Sequence, residues 1–417
     1  MIWIELRRSM MRWGLPIVLT AGGALAWAWS DTWQVWPEVS ATTAFAATRF
    51  AVAILAGAAA WSAQRDRRAG LRAQLDATAR RPWQVESVHL LGTLIYAWAG
   101  LLLIAVVIEL VVIARIGPGF LWPSYLLLAL TSLTFSVAVG HLVGRLTTFR
   151  FAAPLVGLVM LVLGFVAPPN APFELSVVTG PAKLVLSPGV MAARSVFAAV
   201  CLLLAVTLPS RVAAARRARE SGRRGESRWQ TTSVVLAAVA TLAWLVFAGP
   251  LQMPRAPVAD PVCGQVSAGP RVCLWPENRA YLDEALLAAT ALRKAAGETV
   301  PLPAVFYDEG LRDGPSFTAL AVTKPMIADM AIAAMPSFRG CTDGSQTEVE
   351  QRLTAAGRIW VWLAARSNGL RSVGDEPSFM LPPEVSTEVD AALTRPEPAQ
   401  RVWIKEQLAT AKAGCRA

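Results

Sequence analysis

The side chains of this 417-residue sequence that are able to do chemistry are few, and five of them are cysteines: Cys201, Cys263, Cys273, Cys341 and Cys415. Cys263 and Cys273 flank a Ser-Ala-Gly-Pro stretch, the pattern of a short hairpin closed by a bridge. With Cys341 and Cys415 they form an even set after residue 250, which suits two disulfides in an oxidising compartment. Four cysteines allow three pairings. The preferred one joins Cys263 to Cys273 and Cys341 to Cys415, because Cys415 continues the apolar face of Ile404, Leu408 and Ala411 on a terminal helix. Zinc is the rival use of these thiols, but there is no C-x-x-C and no histidine after His141. Cys201, within AAVCLLLAV, reads as a small packing residue.

The remaining chemistry is defined mostly by what is missing. His89 and His141 are the only histidines, so residues 250–417 hold no Ser-His-Asp, Cys-His or H-E-x-x-H arrangement. Asp308, Glu309 and Asp313 in YDEGLRDG read as a solvated acidic turn rather than a catalytic carboxylate pair. No G-x-x-x-x-G-K-[ST] occurs, so any use of ATP must come from a partner. The chain is expected not to be an enzyme and to carry no metal or cofactor. Two charges stand out inside apolar segments, Arg49 and Glu109, at estimated depths of roughly 13 and 8 Å from one membrane surface. Unpaired, each would cost at least about 2 to 3 kcal/mol, and an Arg49–Glu109 ion pair is the expected remedy.

The segments holding these residues are those of a membrane protein: 54% of residues are hydrophobic and 16% charged. Seven stretches are long and apolar enough to cross a bilayer, at about 13–30, 40–63, 88–114, 121–144, 151–167, 191–208 and 231–249. Up to Pro250 there are 22 Lys and Arg against 10 Asp and Glu; afterwards the balance is 17 against 19. Arginines crowd alternate loops, RRSMMR, QRDRRAGLRAQLDATARR, RLTTFR and RVAAARRARESGRRGESR, which marks that side as cytoplasmic. Basic charge distributed in this way is a topology signal, and nucleic-acid binding is set aside. The N-terminus is then inside, and everything after Gly249 is outside. Reading residues 1–26 as a cleaved signal peptide with Ala24-Leu25-Ala26 at its end is the competing possibility, and it leaves the later topology unchanged.

The fold class that follows is an all-α polytopic bundle of about seven transmembrane helices over 1–249, then a mainly helical α+β extracytoplasmic domain over 250–417. In that second part, Pro276 and Gly297 bracket a helix, VPLPAVFYDEG reads as strand and turn, and Val349, Leu353, Ala356, Trp360 and Leu363 recur at helical spacing.

In layout, residues 1–210 resemble the membrane subunit of an ABC-2-type transporter. The matching features are the amphipathic start MIWIELRRSMMRW, the basic inner segment AQRDRRAGLRAQLDATARRPWQ between the second and third crossings, six crossings, and the Pro- and Gly-broken outer hairpin PPNAPFELSVVTGPAKLVLSPG. The resemblance implies a separate ATPase docking on the inner segment, where Leu71, Leu75 and Ala79 have helical spacing, an outer hairpin dipping part-way into the bilayer, and a dimer of membrane halves. The seventh crossing and outer domain depart from a minimal permease; the latter is similar to C-terminal extensions of actinobacterial membrane proteins. The alternative is a non-transporting receptor, sensor or accessory protein whose outer domain binds a ligand or partner.

Overall fold

Prolines open several of the long helices, where a missing backbone N–H costs nothing. In chain order the helices of the first half are α1 (Ile2–Arg8), α2 (Met11–Ala28), α3 (Trp36–Thr48), α4 (Ala51–Arg68), α5 (Pro82–Ile116), α6 (Pro123–Leu146), α7 (Ala152–Val166), α8 (Pro188–Glu220) and α9 (Arg228–Phe247). The computed structural model describes residues 2–30, 33–68, 82–147, 149–166, 174–177, 179–220, 228–320, 323–335, 345–375 and 383–412. It divides into two units: Met1–Arg115 with Gly119–Met253, and Ile116–Pro118 with Pro254–Ala417.

Among the described residues of the first unit, four helical stretches are long and apolar enough to cross a membrane: Trp36–Arg65, Trp83–Ile116, Pro123–Leu146 and Pro188–Leu208. The stretch 36–65 is α3 and α4 joined by a tight turn at Arg49–Phe50. The other three expected crossings coincide with α2, α7 and the apolar part of α9, Leu236–Phe247, which are shorter or less apolar. Every residue of α3 except Glu38 is buried. Its hydroxyls turn back on the helix, Ser40 to the Trp36 carbonyl and Thr43 to that of Val39, which satisfies them without a partner from another element.

The tightest packing in this unit is between α4 and α6. Gly140 and Gly144, the two ends of GHLVG, lie against the backbone of Ala56 and Ala60, where an added Cβ would collide with carbonyl oxygens. Small residues four apart on both helices let the backbones meet. Beyond α7, residues 175–177 are buried, and the Ser132 hydroxyl donates to the Leu175 carbonyl at 2.8 Å. Ser132 lies nine residues into α6, so this non-helical segment descends roughly 13 Å alongside that helix. It returns through β1 (Leu184–Leu186), which pairs with β2 (Gln252–Pro254).

The second unit carries a four-stranded sheet ordered β3 (Val262–Gln265), β4 (Arg271–Leu274), β5 (Val305–Asp308), β6 (Ser316–Phe317). The β3–β4 hairpin is antiparallel, and β4–β5 and β5–β6 are parallel. The crossover that parallel β4 and β5 require is α10 (Leu282–Ala296). Four further helices follow: α11 (Thr323–Ala333), α12 (Gln346–Ser367), α13 (Pro383–Leu393) and α14 (Glu397–Lys412). A reciprocal capping box starts α12, with Ser345 Oγ accepting from the Glu348 N–H and Glu348 accepting from the Ser345 N–H. The Trp362 indole, fully buried, donates to Gln400 of α14 at 3.0 Å.

Candidate functional sites

Two places in the first unit concentrate polar groups within an otherwise apolar bundle. One lies at the end of the helices that the arginine pattern assigns to the cytoplasm. Arg65 near the end of α4 grips both carboxylate oxygens of Glu5 on α1, at 2.8 and 3.0 Å, and His89 Nδ1 of α5 lies 3.1 Å from Glu5 Oε1. One turn away on α5, Glu86 pairs with Arg145, while His141 Nε2 lies 3.1 Å from its other oxygen. Arg145 also donates to the Ala63 carbonyl at 3.0 Å. Both histidines of the chain therefore belong to one buried network of two Arg–Glu–His units. Glu86, His141 and Arg145 are 3, 1 and 6% exposed, so their charges must be satisfied by one another. Glu86 and Glu5, acids beside basic loops, are the signal that would have found the network.

The second place is a cavity of about 500 Å³ among α6, α7, α8, α9 and the descending segment. Its walls are Phe135, Met160, Leu163, Phe197, Leu242 and Leu245 among others, with Thr131, Ser132 and Arg194 as polar members. Arg194 is 6% exposed and lies with Nη2 3.3 Å from Ser132 Oγ. Glu174, on the descending segment, interacts electrostatically with both Arg194 and Arg49.

Arg49 and Glu109 are not brought together. Arg49 instead donates to the Gly164 carbonyl at 2.5 Å and stacks its guanidinium over Phe165 at 3.6 Å. The physical reason is the turn at Arg49–Phe50: depth was counted along a continuous helix, whereas the interruption turns Arg49 to the end of α7. Glu109 is half-buried on α5.

In the second unit, Cys263 and Cys273 face each other across β3 and β4 and are bonded, with Cα atoms 4.1 Å apart. Cys341 and Cys415 lie outside the described residues, as do Leu71, Leu75 and Ala79 of the inner segment. Cys201 is a free, half-buried cysteine of α8. Asp308 is fully buried rather than a solvated turn residue. Its carboxylate accepts from the Trp275, Glu309 and Ala319 N–H groups and from Asn278 Nδ2 at 2.6 Å. Burial outweighs those donors and pushes the carboxyl up to about 6. Arg255 lies over the Trp275 ring at 3.6 Å, closing this corner. The Tyr281 hydroxyl donates to the Ile116 and Pro118 carbonyls at 3.1 and 3.2 Å. Among the described residues no group of three His, Cys, Asp or Glu side chains could hold a metal.

Residues 272–415 match the family described as a domain of unknown function, DUF7224. No curated protein and no solved structure matches the chain.

Proposed function

We propose that the chain is the permease-like membrane subunit of an ABC transport system, with seven crossings, an inner N-terminus, an extracytoplasmic C-terminal domain and a separate ATPase on its inner face. The observation that carries this reading is the lock of Glu5 on Arg65 and His89. It ties the amphipathic α1 to the inner ends of α4 and α5, the two helices that flank the basic segment 69–81. Force applied by an ATPase at that segment would reach α4, α5 and α1 as one body, and through Glu86 would reach α6. The descent of residues 175–177 beside Ser132 also supports it, because an outer segment dipping into the bundle is what the ABC-2 layout calls for.

The orientation draws support from the arginine-rich loops, which alternate with loops nearly free of arginine. The second reading is a receptor or sensor whose outer domain binds a ligand or partner. Affinity isolation of the full chain from its native membrane separates the two. An ATPase is expected to come with it in stoichiometric amount, and the bundle is expected to be dimeric. Recovery of intact dimers without any ATPase would overturn the transport reading.

A further inference from the structure

We propose that the hollow between α1 and the start of α2 holds the head of an acidic phospholipid carrying two phosphate charges, clasped by Arg7, Arg8 and Arg12. The inference goes beyond the transport reading and requires only that the bundle sits in a bilayer.

Charge comes first. The hollow measures about 480 Å³ and is lined by Arg7, Arg8, Arg12 and Arg65 together with Met10 and Trp13. That volume is within the roughly 300 to 1,000 Å³ of small-molecule sites. Among its described lining residues there is no acid. Glu5 meets Arg65 and is shared with His89, while Arg7, Arg8 and Arg12 form no ion pair among the described residues. Three exposed guanidiniums thus line one hollow without a carboxylate. The adjoining stretch 66–81 holds five arginines against two aspartates, so it adds net positive charge rather than removing it.

The contacts around these arginines suit them to an anion. Arg7 and Arg12 lie over the Trp3 and Trp13 rings, 5.0 and 4.8 Å from the centroids. Stacking on a ring face leaves in-plane N–H groups for the two-pronged bonds that guanidinium makes to phosphate. Arg12 Nη1 also donates to the Arg7 carbonyl at 3.2 Å, which ties the start of α2 to α1. The backbone donors at that start are spent within the turn, Met11 N–H on Ser9 Oγ, Arg12 N–H on the Ser9 carbonyl and Trp13 N–H on the Met10 carbonyl. Recognition falls to the side chains.

Position selects a lipid as the source of the phosphate. Arg65 closes the apolar stretch Trp36–Arg65, long enough to cross a membrane, which puts the hollow at headgroup depth. Trp3, Ile4 and Trp13 are 62, 56 and 69% exposed, an apolar rim suited to acyl chains. A soluble diphosphate would engage the arginines and leave that rim in water. One phosphodiester would offset one of three guanidiniums, whereas a two-phosphate head such as that of cardiolipin offsets two.

The test is native mass spectrometry of the full chain in micelles, titrated with cardiolipin, phosphatidylglycerol or phosphatidylcholine. The first cardiolipin should bind at least about tenfold more tightly than phosphatidylglycerol, as one further charge-assisted contact implies, and phosphatidylcholine should bind most weakly. Arg7→Gln combined with Arg12→Gln should remove the preference for cardiolipin. Arg8→Gln should lower it by itself, and it stands as the test if the double variant does not fold. Arg150→Gln, which takes one charge from another arginine-rich loop outside the hollow, should leave it unchanged. Equal affinity for cardiolipin and phosphatidylglycerol, a preference retained in the hollow variants, or an equal loss in Arg150→Gln would overturn the proposal. Displacement of cardiolipin by equimolar inorganic pyrophosphate would assign the hollow to a soluble phosphate compound and overturn it too. None of these outcomes bears on whether an ATPase co-purifies.

Discussion

At the scale of single residues, the chain keeps charge in its apolar bundle by enclosing each group in partners rather than by excluding it. Glu86 holds Arg145 and meets His141, so Glu86→Gln strands a buried guanidinium, and a loss of about 3 to 5 kcal/mol is expected. Adding Arg145→Gln should restore about 1 to 3 kcal/mol of it, measured by reversible unfolding in mixed micelles; strict additivity would show that the two side chains act separately. Asp308 in the second unit gives a pH dependence. With its carboxyl raised from 3.8 to about 6, the folded state holds a proton that the unfolded chain has released, so the stability contributed by this group is complete below about pH 4 and is lost as pH rises through 6. That loss is on the order of 3 kcal/mol. Full-length thermal unfolding between pH 4 and 7 should show wild type losing ground relative to Asp308→Asn, which is neutral throughout; parallel curves would disprove it. Of these residues, the Cys263–Cys273 bond was legible because a turn sequence separates two thiols of one hairpin. The network was not, since acids at the ends of apolar runs look like flanks until four helices bring them together. The Arg49–Glu109 pairing failed because spacing gives depth along a helix and says nothing of a turn that redirects the side chain.

At the scale of elements, helices in this bundle are set by small residues as much as by large ones. Gly140 and Gly144 allow α6 to touch the backbone of α4 at Ala56 and Ala60. Gly140→Val should therefore force the helices apart and cost about 1 to 3 kcal/mol. Gly23→Val, on α2 where an added Cβ meets nothing within 4 Å, should be tolerated. Comparing the two variants by thermal stability in nanodiscs isolates close approach from loss of glycine itself; equal effects would refute the contact. Hydropathy located the long helices, because length and apolarity are local properties. It did not reveal the Arg194 cavity, whose walls come from α6 to α9 and from a segment with no regular structure.

At the scale of the whole molecule, the proposal puts the two ends of the chain on opposite sides of the bilayer. A reporter active only outside should be active when fused after Gly249 or at Ala417 and silent when fused within 69–81. Cytoplasmic activity of a fusion at Ala417 would end the seven-crossing proposal. The two-unit division places Ile116–Pro118 with the C-terminal residues although α5 carries the chain to that point, so no boundary drawn along the sequence alone would have assigned it.

That annexed loop also imposes an order on biosynthesis. Tyr281 is made 165 residues after Ile116, whose carbonyl it caps, a gap of roughly 8 to 33 s at ordinary elongation rates. Throughout that interval residues 116–118 are without the hydroxyl that later bonds to their carbonyls, while α6 to α9 are made. The second unit is thus completed by a fragment made long before the rest of it. Grafting residues 254–417 onto another anchor would leave behind part of what it folds around.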